Sequence, residues 1–153
     1  YFMRFLICFL LIIYSLPSFS EVLKPSPELK AIDVIKIQLE ALKQNNSPYE
    51  NAGIEQTWEF AHPSNRIYTG PLTKFINMMN TPSYRIMLNH KNNQITKINE
   101  NENMALFIIE LEIDDGSKFA FQWIVEKFLN EGKFKNCWMT ISVSQPIPIT
   151  ESA

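Results

Sequence analysis

Cysteine and histidine are scarce in this sequence, with two of each among 153 residues. No Cys or His pair has metal-ligand spacing, so no metal site is expected. No cofactor is expected either. Cys8 lies in an apolar leader, and Cys137 lies in the strand-like run KNCWMTISV. Removal of the leader would leave one thiol and no intrachain disulfide, so the fold must be held by its core. Cys137 is accordingly interpreted as a small buried hydrophobe.

A large excess of charge is also missing. The formal net charge is −2, from 14 basic and 16 acidic residues, and no basic run or basic face is evident. Nucleic-acid binding therefore has little electrostatic support. The hydrophobic fraction is 46%, which suits one globular domain with its own core.

The sequence also lacks an apolar run of the roughly 20 residues that a membrane span needs. The run from Phe5 to Tyr14 is shorter, follows Arg4, and precedes two small residues, Ser18 and Ser20. This order predicts a signal peptide over residues 1–20, cut between Ser20 and Glu21, and a single exported domain over 21–153, periplasmic or secreted. The alternative is an uncleaved anchor, which is the only membrane contact we expect.

Helices are predicted first along the exported part. Ser26 and Pro27 suit a helix start, and apolar residues then recur at spacings of three and four up to Leu42. A second helix is expected from about Asn51 to Phe60, ended by the sequence Pro63-Ser64-Asn65. A third follows Gly70-Pro71 and stops at Pro82.

Strands are predicted from Tyr84 onward, where the apolar period changes to two. The expected strands are Tyr84 to Leu88, Gln94 to Ile98, and the alternating runs that contain Phe107, Trp123 and Met139. Asp115-Gly116 is a hairpin turn signal. In the last run, Cys137, Met139, Ile141 and Val143 are expected on one face, and Gln145 to Ala153 is an edge or a loose tail. The fold class is therefore α+β, with helices covering one face of a curved antiparallel sheet.

The block from Ser47 to His90 is unusually rich in prolines, aromatics and asparagines. The segments QLEALKQNNSPYENAGIEQTWEFAHPSN, TGPLTKFINMMNTPSYRIMLNH and KNCWMTISV occur in that order. In these segments the chain resembles the family labelled domain of unknown function 4864, found in bacteria and plants. That family belongs to the nuclear-transport-factor-2-like (SnoaL-like, cystatin-like) superfamily. The resemblance covers about Ser26 to Val143 and implies a cone in which a bent sheet wraps the first helix, without implying a reaction.

In this superfamily the open mouth of the cone often becomes a ligand pocket. The aromatic and polar groups available for such a pocket are Tyr49, Trp58, Tyr84, His90, Trp123 and Trp138. We hypothesise that they line one concavity. The alternative for each residue is a structural role, in which the side chain only packs in the core.

Catalytic residues cannot be assigned from the sequence. Isomerases and dehydratases of the superfamily place an Asp–His pair, or an Asp with a Tyr, in the cavity, and these do not map onto this chain. Asp33 is expected to face solvent, Glu110 and Glu112 to lie on the exposed side of a strand, and His90 to lie in a polar surface turn. If the protein is an enzyme, His90 and Tyr84 are the best available candidates for acid–base chemistry, although neither is a strong one.

Three classes of function follow. The preferred one is a noncatalytic exported domain that binds a small apolar or amphipathic ligand. The alternatives are a small proton-transfer or hydrolytic enzyme that uses the same cavity, and a structural module that forms a homodimer through its open sheet face.

Overall fold

The computed structural model describes residues 21–150 of the chain. The predicted leader and the cut after Ser20 lie outside this part, as do the last three residues of the predicted tail. Glu21, on the other side of the predicted cut, is the first described residue. Among residues 21–150, no helix is both long and apolar enough to cross a membrane.

The helices precede the sheet, as predicted. They are α1 (Ala31–Lys43), α2 (Ala52–Glu59), α3 (Pro63–Thr69) and α4 (Leu72–Met79), followed by a short 3-10 helix (Arg85–Met87). Ile35, Leu39 and Leu42 of α1 are buried on one face, which confirms the predicted helical period.

The predicted start of α1 at Ser26 and Pro27 is wrong. The N–H of Leu29 donates to the carbonyl oxygen of Ser26 (3.1 Å), which closes a separate turn. The helix begins one turn later, where the Asp33 carboxylate accepts the N–H of Lys30 (2.8 Å). Asp33 thus satisfies a donor at the helix start and lies favourably in the first turn.

The predicted second helix is confirmed as α2, which ends at Glu59, before Pro63. The helix α3 was not predicted. It starts at Pro63, because the ring nitrogen Nδ1 of His62 accepts the N–H of Ser64 (3.1 Å) and proline suits the first helical position. The expected strand from Tyr84 to Leu88 is the 3-10 helix. There the N–H of Arg85 donates to the carbonyl of Thr81 (2.9 Å), so the backbone bonds locally and not to a neighbouring strand.

The sheet has five antiparallel strands: β1 (Asn92–Glu100), β2 (Met104–Glu112), β3 (Lys118–Lys127), β4 (Trp138–Val143) and β5 (Ile147–Ile149). The order is β1-β2-β3-β4, and β5 pairs with β3. The last strand therefore makes part of the predicted tail an edge. Gly116 has φ of 87° in the β2–β3 turn, as the predicted hairpin requires.

Cys137 and Met139 are buried, but so are Trp138 and Thr140, and the alternation predicted for β4 is broken by a register shift. Val125 pairs with Thr140, whereas its neighbour Ile124 pairs with Ser142, so Ile141 is an extra residue. Trp138 belongs to the main core and Thr140 is buried beside Trp123. Cys137 is fully buried, as expected, and burial raises the pKa of its thiol.

The core lies between α1 and the inner face of the sheet. Its strand residues alternate as predicted, and they include Phe107, Ile109, Leu111, Phe121, Trp123 and Val125. After α1 the chain reverses, and α2 packs very close to the end of α1. A Cβ on residue 53 would collide with the backbone of Ala41 and Asn45, so this approach requires Gly53. Helices therefore cover one face of a curved, open sheet, which is the predicted α+β class.

Candidate functional site

An interior cavity of about 100 Å³ lies between the helices and the inner face of the sheet. Its floor is made by buried residues and its mouth by half-buried ones. The floor residues are Gln38, Leu42, Thr57, Ala61, Phe75, Met79, Met87, Trp123 and Thr140, and the mouth residues are Asn65, Thr69, Met78, Tyr84 and Val143. The cavity thus draws on all four α-helices, the 3-10 helix and the strands β3 and β4.

A chain of hydrogen bonds crosses the floor of the cavity. The indole Nε1 of Trp123 donates to the hydroxyl of Thr140 (3.0 Å), and that hydroxyl donates to Oε1 of Gln38 (2.5 Å). The amide Nε2 of Gln38 then donates to the carbonyl oxygen of Thr57 (3.1 Å). A buried polar group without a hydrogen-bond partner costs free energy of folding. These hydrogen bonds, called the polar chain below, therefore hold the side chains of Trp123, Thr140 and Gln38 in place at the floor of an otherwise apolar cavity.

The backbone of Thr140 is fixed as well. Its N–H donates to the carbonyl of Phe60 (2.7 Å), and its carbonyl accepts the N–H of His62 (2.8 Å). The segment between α2 and α3 is therefore hydrogen-bonded to β4 at Thr140, the central residue of the polar chain.

Tyr84 lies at the mouth of the cavity. Its hydroxyl accepts a hydrogen bond from the amide of Gln145 (3.3 Å) and lies 3.5 Å from the carbonyl oxygen of Val143. A phenol is protonated at neutral pH, and burial raises the pKa of Tyr84 further above its ordinary value. Tyr84 can offer a hydrogen bond to a ligand, but it is a poor general base.

The structure brings two of the six candidate residues to this cavity, namely Tyr84 and Trp123. The other four do not line it. Trp58 packs on the ring of Phe75, with 5.1 Å between ring centroids, and the guanidinium of Arg66 lies 4.8 Å from its ring. Trp138 is buried in the core beneath the ammonium of Lys127.

The expectation that His90 lies at the surface is wrong, since it is only 3% exposed. Its Nδ1 lies 2.7 Å from the carbonyl oxygen of Met87, and its Nε2 lies 2.9 Å from the amide nitrogen of Asn93. A carbonyl only accepts, so Nδ1 carries the hydrogen and Nε2 accepts from Asn93. Both ring nitrogens are used within the fold, and burial lowers the pKa of His90. His90 therefore connects the 3-10 helix to β1 and does not line the cavity.

Tyr49 lies on a separate, open groove of about 460 Å³ between residues 21–23, α1 and α2. Its hydroxyl donates to Glu55 (2.7 Å), and this hydrogen bond raises the pKa of Tyr49. Gln56 holds the start of the domain along this groove, accepting the N–H of Leu23 (2.7 Å) and donating to its carbonyl (2.9 Å).

None of the carboxylates within residues 21–150 lines the cavity. Glu112 is bonded by Asn92 and Lys91, and Asp115 accepts the N–H of Ser117 in the hairpin turn. Across residues 21–150, no three His, Cys, Asp or Glu side chains are grouped to hold a metal ion. The chemistry available at the cavity is hydrogen bonding and apolar contact.

Gln38 and Thr140 are the site residues that the sequence did not reveal. Gln38 occupies a position on the apolar face of α1, between Ile35 and Leu42, and this polar residue in a buried stripe is the signal that could have found it. Searches of the chain against protein-family models, curated proteins and solved structures found no match.

Proposed function

We propose that this protein is an exported, noncatalytic domain that binds a small apolar or amphipathic molecule in the cavity beneath α3 and α4. The observation that carries the proposal is the buried polar chain Gln38–Thr140–Trp123 at the floor of an apolar cavity. A few fixed polar groups among apolar side chains are typical of small-molecule sites.

The size of the cavity limits the ligand. A volume of about 100 Å³ is below the roughly 300–1,000 Å³ of ordinary ligand sites, so the ligand must be small. Three methionines line the cavity, Met78, Met79 and Met87. Methionine side chains are flexible and polarisable, so the cavity can enlarge around a ring-sized guest.

The polar groups of the cavity favour a ligand with one hydrogen-bonding end. The Thr140 hydroxyl donates once and accepts once, which leaves one lone pair, and the Gln38 amide retains a second N–H. Tyr84 adds a hydroxyl at the mouth. A short alcohol or phenol would match these groups while its apolar part contacts Phe75 and the methionines.

The lining chemistry supports binding in preference to catalysis. Among the described residues that line the cavity, Tyr84 alone has a side chain that ordinarily titrates, and burial raises its pKa. Proton-transfer chemistry calls for an acid or base with a pKa near the working pH. His90, the other candidate, makes both its hydrogen bonds elsewhere.

Export and family membership remain part of the proposal. Export rests on the residue order of the leader, Arg4 and then the run Phe5 to Tyr14 before Ser18 and Ser20. The α+β architecture, with helices on one face of a curved sheet, supports the proposed kinship with the domain of unknown function 4864 family and its cone fold.

A thermal-shift series tests the binding proposal. Benzene, phenol and indole are added separately to the full chain, and a ligand present at 100 times its Kd should stabilise the fold by about 2.7 kcal/mol. Met78→Trp places a large ring at the mouth and should abolish the shift. Asn77→Trp, at an exposed residue on the same helix and outside the cavity lining, is the matched control and should retain it.

The polar chain is tested by Thr140→Val, which keeps the shape of the side chain and removes its hydroxyl. The shift caused by phenol should fall relative to that caused by benzene. The proposal fails if none of the three probes stabilises the protein, or if Met78→Trp leaves the shifts unchanged.

A further inference from the structure

The charges of this protein are distributed unevenly along the chain. Residues 60–99 contain five basic residues and none of the 16 acidic ones, whereas the other 113 residues carry nine basic and 16 acidic residues. This segment forms α3, α4, the 3-10 helix and most of β1. Two of the five, Lys91 and Lys97, are paired with Glu112 and Glu100 at β1, away from the cavity. The other three, Arg66, Lys74 and Arg85, lie on α3, α4 and the 3-10 helix, which contain no acidic residue and contribute to the cavity.

The outer side of α3 presents two large apolar side chains to solvent. Ile67 is 77% exposed and Tyr68 is 76% exposed, the highest values among the described large apolar residues. The other side of the same helix supplies Asn65 and Thr69 to the cavity mouth. The exposed pair therefore lies directly beside the opening.

Two exposed cations are available, one next to this pair and one next to the cavity mouth. The ammonium of Lys74 donates to the backbone carbonyl of Tyr68 (2.8 Å), which places its charge next to the apolar side chains. Arg85 is exposed and follows the mouth residue Tyr84. In the described part of the chain, neither Lys74 nor Arg85 has an acidic partner.

We propose that Ile67, Tyr68, Lys74 and Arg85 form a docking surface for an anionic lipid membrane. Protruding apolar and aromatic side chains surrounded by cations are the features of interfacial membrane binding. A protein partner would usually need about 800 Å² of surface per side, which two side chains on a seven-residue helix do not offer. Docking would turn the cavity mouth toward the lipid, but it does not depend on a ligand in the cavity.

Amide hydrogen exchange of the full chain tests this surface. The protein is measured alone, with phosphatidylcholine vesicles, and with vesicles that also contain phosphatidylglycerol, at low salt. Because the leader could itself hold the chain on any vesicle, the readout is protection of residues 63–87 and not attachment of the whole molecule. We expect protection of α3 and α4 with the anionic vesicles only.

Variants then assign the effect to the surface. Ile67→Ser combined with Tyr68→Ser should abolish the protection, whereas Ile98→Ser, at a residue 55% exposed on β1, should not. Lys74→Glu should raise the lipid concentration needed for half protection by at least about fivefold. Lys36→Glu, an exposed lysine on α1, is the matched charge control.

Several outcomes would overturn the inference. Equal protection by both kinds of vesicle, no protection by either, or protection that survives the Ile67/Tyr68 double variant would each remove the anionic docking surface. Protection of α3 that rises with protein concentration in the absence of lipid would assign the surface to a second copy of the chain instead.

Discussion

Both histidines of the chain are buried, and each holds a local part of the fold through its neutral ring. Nδ1 of His62 accepts the N–H of Ser64 at the start of α3, and Nε2 of His90 accepts from Asn93. Burial lowers the pKa of both rings. Protonation would remove an acceptor at each position and place a charge in a poorly solvated site.

Acid should therefore destabilise the protein before its carboxylates titrate. The unfolded chain binds protons at a histidine pKa of about 6.5, and the folded chain binds them only at lower pH. The stabilisation is fully present above about pH 6.5 and is lost as the pH falls toward the lowered pKa of the folded state. Urea unfolding measured in steps between about pH 8 and 5 should show a falling free energy of unfolding.

The double variant His62→Asn/His90→Gln is the control for this pH dependence. Asparagine retains a good helix cap at residue 62, and neither replacement titrates. The slope of stability with pH in this window should become nearly flat, and an unchanged slope would mean that other groups cause it.

Some residues of the site could be predicted from the sequence and others could not. Tyr84 and Trp123 stood out as rings that carry a polar atom. His90 was misplaced because the polar residues after it resemble a surface turn, whereas the 3-10 helix before it turns its ring inward. Thr140 could not be identified because the register shift of β4 places it on the inner face.

At the scale of elements, α2 and α3 are joined through one side chain. Nε of Arg66 donates to the carbonyl of Ala61 (2.9 Å), and its Nη2 donates to those of Trp58 (2.8 Å) and Glu59 (3.0 Å). The carbonyls of Trp58 and Glu59 belong to the last turn of α2, and that of Ala61 follows the helix. The Trp58 carbonyl also accepts the N–H of Ala61 (3.0 Å), so Arg66 adds donors where the regular helical bonds end. The guanidinium also covers the ring of Trp58, so Arg66 fixes the angle between the two helices.

Arg66→Lys should consequently destabilise the fold although the charge is kept. An ammonium cannot reproduce the planar fork or the stacking, and we expect a loss of about 1–3 kcal/mol in urea unfolding. Arg85→Lys, at an exposed arginine on the 3-10 helix, should change stability by less than about 0.5 kcal/mol. Equal effects of the two substitutions would contradict this role for Arg66.

The elements that could be predicted are those in which one period persists for several residues. The apolar face of α1 and the hairpin of β2 and β3 are of this kind. The short α3 has no buried residue to produce a helical pattern, since its contacts come from Arg66 and from the cap at His62. The 3-10 helix forms because the backbone after Pro82 makes local hydrogen bonds. The alternation of apolar residues from Tyr84 to Leu88 does not indicate such bonds and suggested a strand instead.

At the scale of the whole molecule, the predicted leader can be tested independently of the fold of residues 21–150. The order of residues in the leader predicts a cut between Ser20 and Glu21. Mass spectrometry of the exported protein should therefore find Glu21 at the amino terminus. Ser20→Tyr puts a bulky residue where a small one is required and should leave the leader attached.

Phe19→Tyr is the control for this cleavage, because the position between the two small residues tolerates a large side chain in signal peptides. It should be processed like the unaltered chain. Processing of both variants, or an intact leader on the unaltered product, would contradict the predicted cut.

The hydrogen bond from Thr140 to Gln38 joins residues 102 positions apart. During synthesis, α1 is complete long before β4 leaves the ribosome. Until then the Gln38 amide has to form its hydrogen bonds with water or with other groups. A shortened chain that stops before residue 140 would contain all four α-helices, the 3-10 helix and the strands β1 to β3, yet it could not make the floor that a guest molecule would touch.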